Sequence, residues 1–446
     1  MSARGRTVRT LILLALLSSW GHAGGARAHA PLTREILFAP TGNGLSVHMP
    51  DFGLMIGNGD ATERSYAYAC SGLLGMAPLD EQAAVAYRHD GSLLIGGSGG
   101  LLLRTAAGCD TGTDTGVLDT ASVAAMAVHP DVEGLVYAAT AGDAPALHRS
   151  VDGGEHWLRG ATLAAGHAVT SMIVVPDDEQ RLYMTQPSGA DTVLLTSDDG
   201  GDSLAAEMHA GPLRLLALQP GTPPRLWAMA PDDAAREVAI LVTDLPQVAL
   251  REVHRVRFFG GLAIAGDGAG ATSVWVGDEA GGLYRSLDGG QRFTNIAPDM
   301  AVACLTHAEG ELWACAPGSS AQPAVAVSSD RGDSWRTELT LDDVDRLADC
   351  GPAQDVESQC GAEWDDWRFG GPLASAPPSG GDAGMSRAPA ASTDTGAQEP
   401  GIDAGCSIAR VAAPPSGEGA SSNGAWALLC LIAGLARRRG WRRNRS

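Results

Sequence analysis

The chain contains 446 residues, and 31 basic residues against 52 acidic ones give it a formal net charge of −21. The imbalance is larger between residues 29 and 405, where 20 arginines face 51 acids and the formal charge is −31. Such a surface repels phosphate backbones and argues against nucleic-acid binding, whereas it suits solubility outside the cell or a cationic partner.

Residues 1–28 have the pattern of a secretory signal peptide. Three arginines, Arg4, Arg6 and Arg9, precede the apolar core Leu11–Leu17, and small residues lead to a cleavage site after Ala28. The apolar run is too short to span a bilayer as an uncleaved anchor. The sequence therefore predicts export.

A short motif, S-x-D-x-G followed by an aromatic residue or Leu, recurs in the middle of the chain. Its copies are Ser150, Asp152, Gly154 and Trp157; Ser197, Asp199, Gly201 and Leu204; Ser286, Asp288, Gly290 and Phe293; and Ser328, Asp330, Gly332 and Trp335. An Asp at a hairpin tip accepts hydrogen bonds from turn amides, Gly adopts positive φ, and the aromatic ring folds back over the hairpin. We therefore predict a structural role for these residues and assign no catalytic residue.

The spacing of the copies predicts the architecture. Successive serines lie 47, 89 and 42 residues apart, so a degenerate copy is expected within the long interval, where the strand Ala239–Thr243 fits. Leu101–Thr105 and Gly53–Asp60 continue the period toward the N-terminus. A second repeated pattern has a proline seven positions before an aromatic residue: Pro130 and Tyr137, Pro176 and Tyr183, Pro220 and Trp227. Seven units of this length predict an all-β, seven-bladed β-propeller over residues 29–345, with six or eight blades as the alternatives.

The motif resembles the Asp-box of the sialidase/BNR-repeat and sortilin-type propellers. In those families the box joins the third and fourth strands of a blade, on the outer rim and away from the axial site. The families differ in their chemistry, so the resemblance implies a fold more firmly than an activity.

Six of the eight cysteines precede the C-terminal tail, which suggests three disulfides in an exported protein. The expected pairs are Cys304–Cys315, Cys350–Cys360 and Cys70–Cys109. The first rests on a hairpin with Glu309-Gly310 as its turn, which would place the two cysteines opposite each other. The second would close a short loop in a Cys-containing closing segment, residues 346–373, and the third is left by elimination. Neither CxxC nor HExxH spacing occurs, so we expect no metal, and we expect no cofactor.

The C-terminal region has two parts. Residues 374–405 are rich in small and polar residues, which predicts a disordered spacer. Residues 406–446 begin with Cys406, continue to the apolar run Ala425–Ala436, expected to form a short helix, and end in an arginine cluster. This tail resembles the MYXO-CTERM sorting tail of myxobacterial surface proteins, which is cut near its Cys. The resemblance implies that Cys406 is the processing residue and anchors the protein at the outer surface of a Gram-negative envelope; an ordinary membrane anchor is the alternative.

Glycoside hydrolysis is the enzymatic alternative to a binding role. Sialidases with Asp-boxes need an arginine triad, and their F/Y-R-I-P motif does not occur in this sequence. Arg64, Arg149, Arg257 and Arg285 are available, but nothing in the sequence makes them converge. Other propeller glycosidases use two axial carboxylates, which the sequence does not locate. We therefore predict a non-enzymatic binding or structural module for a surface glycan or a protein partner, with a sialidase-like or other glycoside hydrolase as the alternative.

Overall fold

The computed structural model describes residues 33–40, 44–49, 52–59, 64–75, 83–113, 115–266, 272–317 and 324–369. Its strands form seven sheets, and the first strand of each sheet contacts the first strands of its two neighbours, so that the sheets close into a ring. The predicted seven-bladed β-propeller is therefore confirmed. The predicted signal peptide, spacer and C-terminal tail, including Cys406, lie outside the described residues.

The blades follow one another along the chain. Blade 1 consists of β1 (Glu35–Phe38), β2 (Gly44–Met49), β3 (Gly53–Asn58) and β4 (Ser65–Cys70). Blade 2 consists of β5 (Ala84–Tyr87), β6 (Leu93–Gly97) and β7 (Gly100–Arg104). Blade 3 consists of β8 (Val123–Val128), β9 (Val136–Thr140), β10 (Ala146–Ser150) and β11 (Leu158–Thr162). Blades 4 and 5 consist of β12 (Ser171–Val175), β13 (Asp178–Ser188), β14 (Asp191–Ser197) and β15 (Ala205–His209); and β16 (Arg214–Gln219), β17 (Arg225–Asp232), β18 (Glu237–Asp244) and β19 (Arg251–Val256). Blades 6 and 7 consist of β20 (Phe259–Gly266), β21 (Thr272–Asp278), β22 (Leu283–Ser286) and β23 (Thr294–Ala297); and β24 (Cys304–Ala308), β25 (Glu311–Cys315), β26 (Val325–Ser328) and β27 (Arg336–Leu339).

Each blade is an antiparallel meander that runs from the axis to the rim. The connections from the first to the second strand and from the third to the fourth reach one side of the ring. We call this side the turn face, because it carries the four S-x-D-x-G turns. The remaining connections reach the other side, which we call the opposite face.

Burial decreases from the axis to the rim, which explains the residue types of the strands. All five residues of the inner strand β12 are buried, whereas four of the five residues of the rim strand β15 are exposed. The aromatic residues of the proline–aromatic pattern are Tyr137, Tyr183 and Trp227. They lie on the second strands of blades 3, 4 and 5 and are at most 2% exposed. Apolar inner strands and these large buried rings form the cores between neighbouring sheets.

Blade 2 has three strands, and the segment that follows β7 covers its outer edge. Thr115 Oγ1 donates to the carbonyl of Leu101 at 2.7 Å, and Thr111 Oγ1 donates to the carbonyl of Leu103 at 3.2 Å. These hydroxyls therefore satisfy edge carbonyls that a fourth strand would otherwise pair.

The chain returns from blade 7 to blade 1 through the closing segment, which the structure describes from residue 346 to residue 369. Its strand β28 (Arg346–Leu347) pairs in parallel with β4, and its helix α2 (Val356–Phe369) packs against β4 and the short helix α1 (Ser71–Leu74). Blade 1 thereby becomes a five-stranded sheet. Among the described residues, no helix combines the length and the apolar character needed to cross a membrane.

Cys304 and Cys315 form a disulfide across the hairpin of β24 and β25. The two residues are direct partners in the register, with Cα atoms 4.9 Å apart. Glu309 and Gly310 form the turn, with φ values of 56° and 80°. The paired positive φ angles match the right-handed twist of the flanking strands.

The other two predicted disulfide pairings, Cys350–Cys360 and Cys70–Cys109, are wrong. Cys70 pairs with Cys360, and Cys109 pairs with Cys350, across sequence separations of 290 and 241 residues. The reason is ring closure, which brings the closing segment against blades 1 and 2. The spacing of cysteines along the chain cannot predict this contact, because its partners are far apart in the sequence. It can predict the Cys304–Cys315 link, because that hairpin of blade 7 is local.

Candidate functional site

The four S-x-D-x-G turns each form the same pattern of hydrogen bonds. In the first turn, Ser150 Oγ donates to Asp152 Oδ1 at 2.7 Å and accepts from the Gly154 N–H at 2.8 Å. Asp152 Oδ1 also accepts from the His156 N–H at 2.9 Å. The corresponding Gly N–H to Ser Oγ distances in the other turns are 2.8, 2.8 and 2.7 Å. The Asp carboxylates are therefore engaged in holding the turns.

Hydrogen bonding also keeps these carboxylates ionised. The hydroxyl and the backbone N–H of Ser203, together with the hydroxyl of Ser197, lower the pKa of Asp199 to about 2. Ser334 acts in the same way on Asp330 and lowers its pKa to about 2. A general acid needs a pKa near the working pH, so these residues are poorly suited to proton donation.

The turns also connect neighbouring blades through their glycines. Gly290 has a φ of 87°, and a Cβ added to it would lie 2.2 Å from the ring of Trp227 in blade 5. Backbone and ring therefore touch directly at the seam between blades 5 and 6, which leaves no room for a side chain.

The residues that close the motif are half-buried and pack on the blade cores: Trp157, Leu204, Phe293 and Trp335. Trp157 Nε1 donates to the carbonyl of Gly154 at 2.9 Å, and Trp335 Nε1 donates to that of Gly332 at 3.2 Å. In blade 5, Thr243 takes the place of Ser, and its Oγ1 accepts from the Ala249 N–H at 2.9 Å.

The arginines considered for a sialidase-like triad lie at different seams. Arg285 donates to Asp333 Oδ1 of the blade 7 turn at 2.8 Å, and Arg64 donates to Glu338 at 3.2 Å between blades 7 and 1. A Cβ added to Gly200 in the blade 4 turn would lie 3.2 Å from the guanidinium of Arg149. Arg257 is exposed, and its backbone N–H donates to Asp278. The structure does not gather these side chains into one site.

Carboxylates are scarce along the axis. Within the seven inner strands, which the structure describes completely, Glu35 is the one acidic residue. On the opposite face, Glu279 forms an ion pair of 2.8 Å with Arg34, and burial raises the pKa of Glu279 despite this partner. The neighbouring Asp278 accepts the backbone N–H groups of Arg257 and Phe258 at 2.9 and 3.2 Å. Both carboxylates thus have protein partners.

A cleft of about 340 Å³ opens on the turn face between blades 2 and 3. Its walls come from the first turn of blade 2, the first turn of blade 3 and the S-x-D-x-G turn of blade 3. The lining residues are Arg88, His89, Asp90, Val128, Glu133, Gly134, Val136, Val151, Asp152 and Gly153. Of the sixteen motif residues predicted from the sequence, only Asp152 reaches this cleft.

Arg88 and His89 form the polar wall of the cleft. His89 Nε2 donates to the carbonyl of His129 at 2.9 Å, which fixes the ring against blade 3. The Arg88 side chain is 16% exposed, with Asp90 and Glu155 carboxylate oxygens each 3.6 Å away and the Asp152 carbonyl 3.5 Å away. Arg88 Nε is buried and has no hydrogen-bond partner among the described residues.

Sequence reasoning missed this cleft because its residues belong to no motif. The available signal was the run Arg88-His89-Asp90, which follows the apolar strand β5 where blades 4 and 5 have a proline after the inner strand. A charged run at a blade turn is ordinarily a solvated surface. Only the position of the blade 3 turn beside it creates a cavity.

No protein-family model matches the chain, and no curated protein matches it. Solved structures do match. A GH74 enzyme from Niastella koreensis is 13% identical, with a TM-score of 0.49 over 70% of this chain and 54% of the enzyme, so this chain spans about half of the enzyme's length. The β-propeller domain of Cps50 (Swd1) from Myceliophteria thermophila is 17% identical, with a TM-score of 0.44 over 65% of this chain and 94% of that domain. YCF48 bound to D1 peptide is 13% identical, with a TM-score of 0.41 over 58% of this chain and 82% of YCF48. At such identities the similarity concerns the fold alone and assigns no activity or ligand.

Proposed function

We propose that this protein is an exported, surface-anchored β-propeller that acts as a non-enzymatic binding module for a glycan or protein partner. One observation carries the proposal. The carboxylates of the turns accept hydrogen bonds that hold the turns together. The cleft between blades 2 and 3, by contrast, has a volume of about 340 Å³ and is lined by polar groups, among them Arg88, whose contacts within the protein are long. A concave site with a few convergent polar groups on a rigid scaffold is suited to recognition.

Export and anchoring are supported by separate features. The three disulfides suit an oxidising compartment. The N-terminal pattern and the likeness of residues 405–446 to the MYXO-CTERM tail support passage through the inner membrane and anchoring through Cys406. We assign the S-x-D-x-G turns to the Asp-box type, on the basis of their sequence and their place between third and fourth strands.

The glycoside hydrolase alternative has less support. Two carboxylates flanking a scissile bond must be free to donate a proton and to attack or activate water. Asp278 is held by backbone N–H groups and Glu279 by Arg34. The raised pKa of Glu279 favours this alternative, because a general acid must hold its proton near the working pH.

The test combines a broad glycan panel with surface labelling. Full-length protein is incubated with the panel, and bound glycan and released sugar are scored together; intact expressing cells are labelled with an antibody against the propeller. Binding without release, and labelling of intact cells, are expected. Sugar release would overturn the non-enzymatic assignment, and an antigen that appears only after cell lysis would overturn surface display.

A further inference from the structure

The cleft between blades 2 and 3 contains both a hydrogen-bond donor and acceptors that the fold leaves available. Arg88 supplies the donor, and the carboxylates of Glu133 and Asp90 line the same cavity. Asp90 Oδ1 already accepts from the N–H and the hydroxyl of Ser92 at 2.9 and 2.6 Å, so Asp90 offers its other oxygen, Oδ2, as an acceptor. Asp152 contributes less, because its carboxylate already accepts from Ser150 and His156. The site therefore offers one cationic donor and accepting oxygens of two carboxylates within a single small cavity, and the ionised Asp152 beside them gives the lining an excess of negative charge.

Arg88 has longer contacts than Arg225 and Arg285, two arginines that lie at other seams. Arg225, between blades 5 and 6, donates to Asp244 at 2.8 Å and to the carbonyl of Gly289 at 3.1 Å. Arg285, between blades 6 and 7, donates to Asp333 at 2.8 Å. The contacts of Arg88 are 3.5–3.6 Å, which is too long for good hydrogen bonds. An acceptor placed in the cleft would satisfy a guanidinium that the protein itself satisfies poorly.

The charges of the lining restrict what the ligand can be. An anion would meet the carboxylates of Asp90 and Glu133 at the rim, and a simple cation would meet Arg88 at the wall. A neutral ligand with several hydroxyl groups avoids both conflicts, because each hydroxyl can accept from the guanidinium or donate to a carboxylate. The mixed lining thus favours a polyhydroxylated neutral molecule.

The volume of the cleft and the apolar residues at its floor are suited to a sugar residue. A volume of about 340 Å³ lies at the lower end of the range for small-molecule sites. The floor is apolar, because Val128 and Val136 are 8% and 1% exposed, and Val151 adds an exposed apolar edge. Such a floor can contact the C–H groups of a sugar ring while the polar wall contacts its hydroxyls.

We propose that this cleft binds a neutral sugar residue of a glycan, with hydroxyl groups that accept from Arg88 and donate to Asp90 and Glu133. The inference rests on the proposed binding function and names its site and ligand class. It makes the turn face of blades 2 and 3 the recognition surface of the propeller.

The test uses saturation-transfer NMR on the full-length protein. The probes are methyl glycosides of glucose, galactose, mannose and N-acetylglucosamine, with glucuronic acid as the anionic and Nα-acetyl-arginine amide as the cationic comparison. We expect transfer to at least one neutral glycoside and little to glucuronic acid. Arg88→Met is expected to weaken glycoside binding about tenfold, the effect of losing one charge-assisted contact. Arg225→Met, which removes a well-bonded seam arginine, is the matched control and should leave binding unchanged; unfolding midpoints of both variants verify that they fold.

Each other outcome is decisive. Glycoside binding that survives Arg88→Met would overturn the assignment of the cleft while leaving a glycan-binding function elsewhere on the protein. Binding of the arginine probe that strengthens on removal of Arg88 would identify a cation site instead. If no neutral glycoside shows saturation transfer but the glycan panel is positive, the cleft is rejected as the sugar site. If neither experiment detects binding, glycan binding by this protein is rejected as well.

Discussion

The seams between successive blades and the seam that closes the ring are held together by different means. Where a blade carries an S-x-D-x-G turn, the glycine of that turn packs on the preceding sheet; between blades 5 and 6, for example, Gly290 packs on Trp227 and the Gly289 carbonyl accepts from Arg225. Between blades 7 and 1, a buried ion pair of Arg64 with Glu338, the added strand β28 and the disulfides of the closing segment take over.

The difference follows from chain connectivity. Blades that follow each other in sequence are held close by a short connection, so weak repeated contacts are sufficient to align them. Blades 7 and 1 lie at opposite ends of the propeller sequence, and bringing them together costs the loop-closure entropy of the whole ring. Covalent links between the closing segment and blades 1 and 2 reduce that cost by constraining the unfolded chain.

The largest effect is expected from removing a disulfide of the closing segment. With Cys109–Cys350 intact, the Cys70–Cys360 link closes a loop of about 50 residues, which corresponds to roughly 4 kcal/mol of unfolding free energy as an upper value. Cys70→Ala with Cys360→Ala should therefore lower stability by about 2–4 kcal/mol in urea unfolding. Cys304→Ala with Cys315→Ala, which opens a link across 11 residues, is the control and should cost about 1 kcal/mol less. An equal or larger loss in the control would contradict the role given to ring closure.

The buried ion pair of the closing seam should rank second. The side chains of Arg64 and Glu338 are 2% and 6% exposed, and the Arg64 guanidinium lies 5.6 Å from the ring centroid of Trp313. Arg64→Met should destabilise the protein by about 3 kcal/mol, because it leaves a buried carboxylate with fewer partners. Arg285→Met, whose partner Asp333 is 62% exposed, should cost about 1 kcal/mol or less in the same thermal and urea measurements. Similar losses from both variants would remove the distinction between the two kinds of seam.

A smaller effect is expected from filling a seam between successive blades. Gly290→Ala places a methyl group 2.2 Å from the Trp227 ring and should cost about 2–3 kcal/mol. Gly166 has the same φ of 87° but no atom within 4 Å of an added Cβ, so Gly166→Ala measures the backbone cost alone, about 1 kcal/mol. If the two unfolding free energies fall equally, the glycine is required for its backbone angle and not for packing between the blades.

The smallest effect should appear only in acid. The pKa of Asp199 is about 2 in the folded protein and 3.8 for an ordinary Asp, so its contribution to stability is complete above pH 4 and is lost as the pH falls toward 2. Asp199→Asn should therefore flatten the fall of the urea midpoint between pH 4 and pH 2. Asp143→Asn, at an exposed residue that accepts no hydrogen bond in the described structure, should leave the fall unchanged. An unaltered pH profile in Asp199→Asn would show that the turn network does not depend on the charge.

Much of the fold could be predicted from the sequence because the repeated turn is local. Ser197, Asp199 and Gly201 lie within five residues, and their hydrogen bonds form inside that segment. The motif therefore marks one strand pair in each blade that carries it, and its period indicates the number of blades. The Cys304–Cys315 link is local in the same sense, because a two-residue turn aligns the two cysteines.

The candidate site could not be predicted, because it has no local signature. Arg88 lies in the first turn of blade 2 and Asp152 in the turn of blade 3, separated by 64 residues, and only the packing of the two sheets creates the volume between them.

The sequence by itself thus determined the repeat, its turns and the register of the Cys304–Cys315 hairpin, since these depend on contacts between near neighbours in the chain. The tertiary structure alone decided the partners of Cys70 and Cys109, the seam of Arg64 with Glu338 and the cleft beside Arg88. These features depend on how sheets distant in sequence meet around the axis, and the angles at which they meet are a property of the closed ring as a whole.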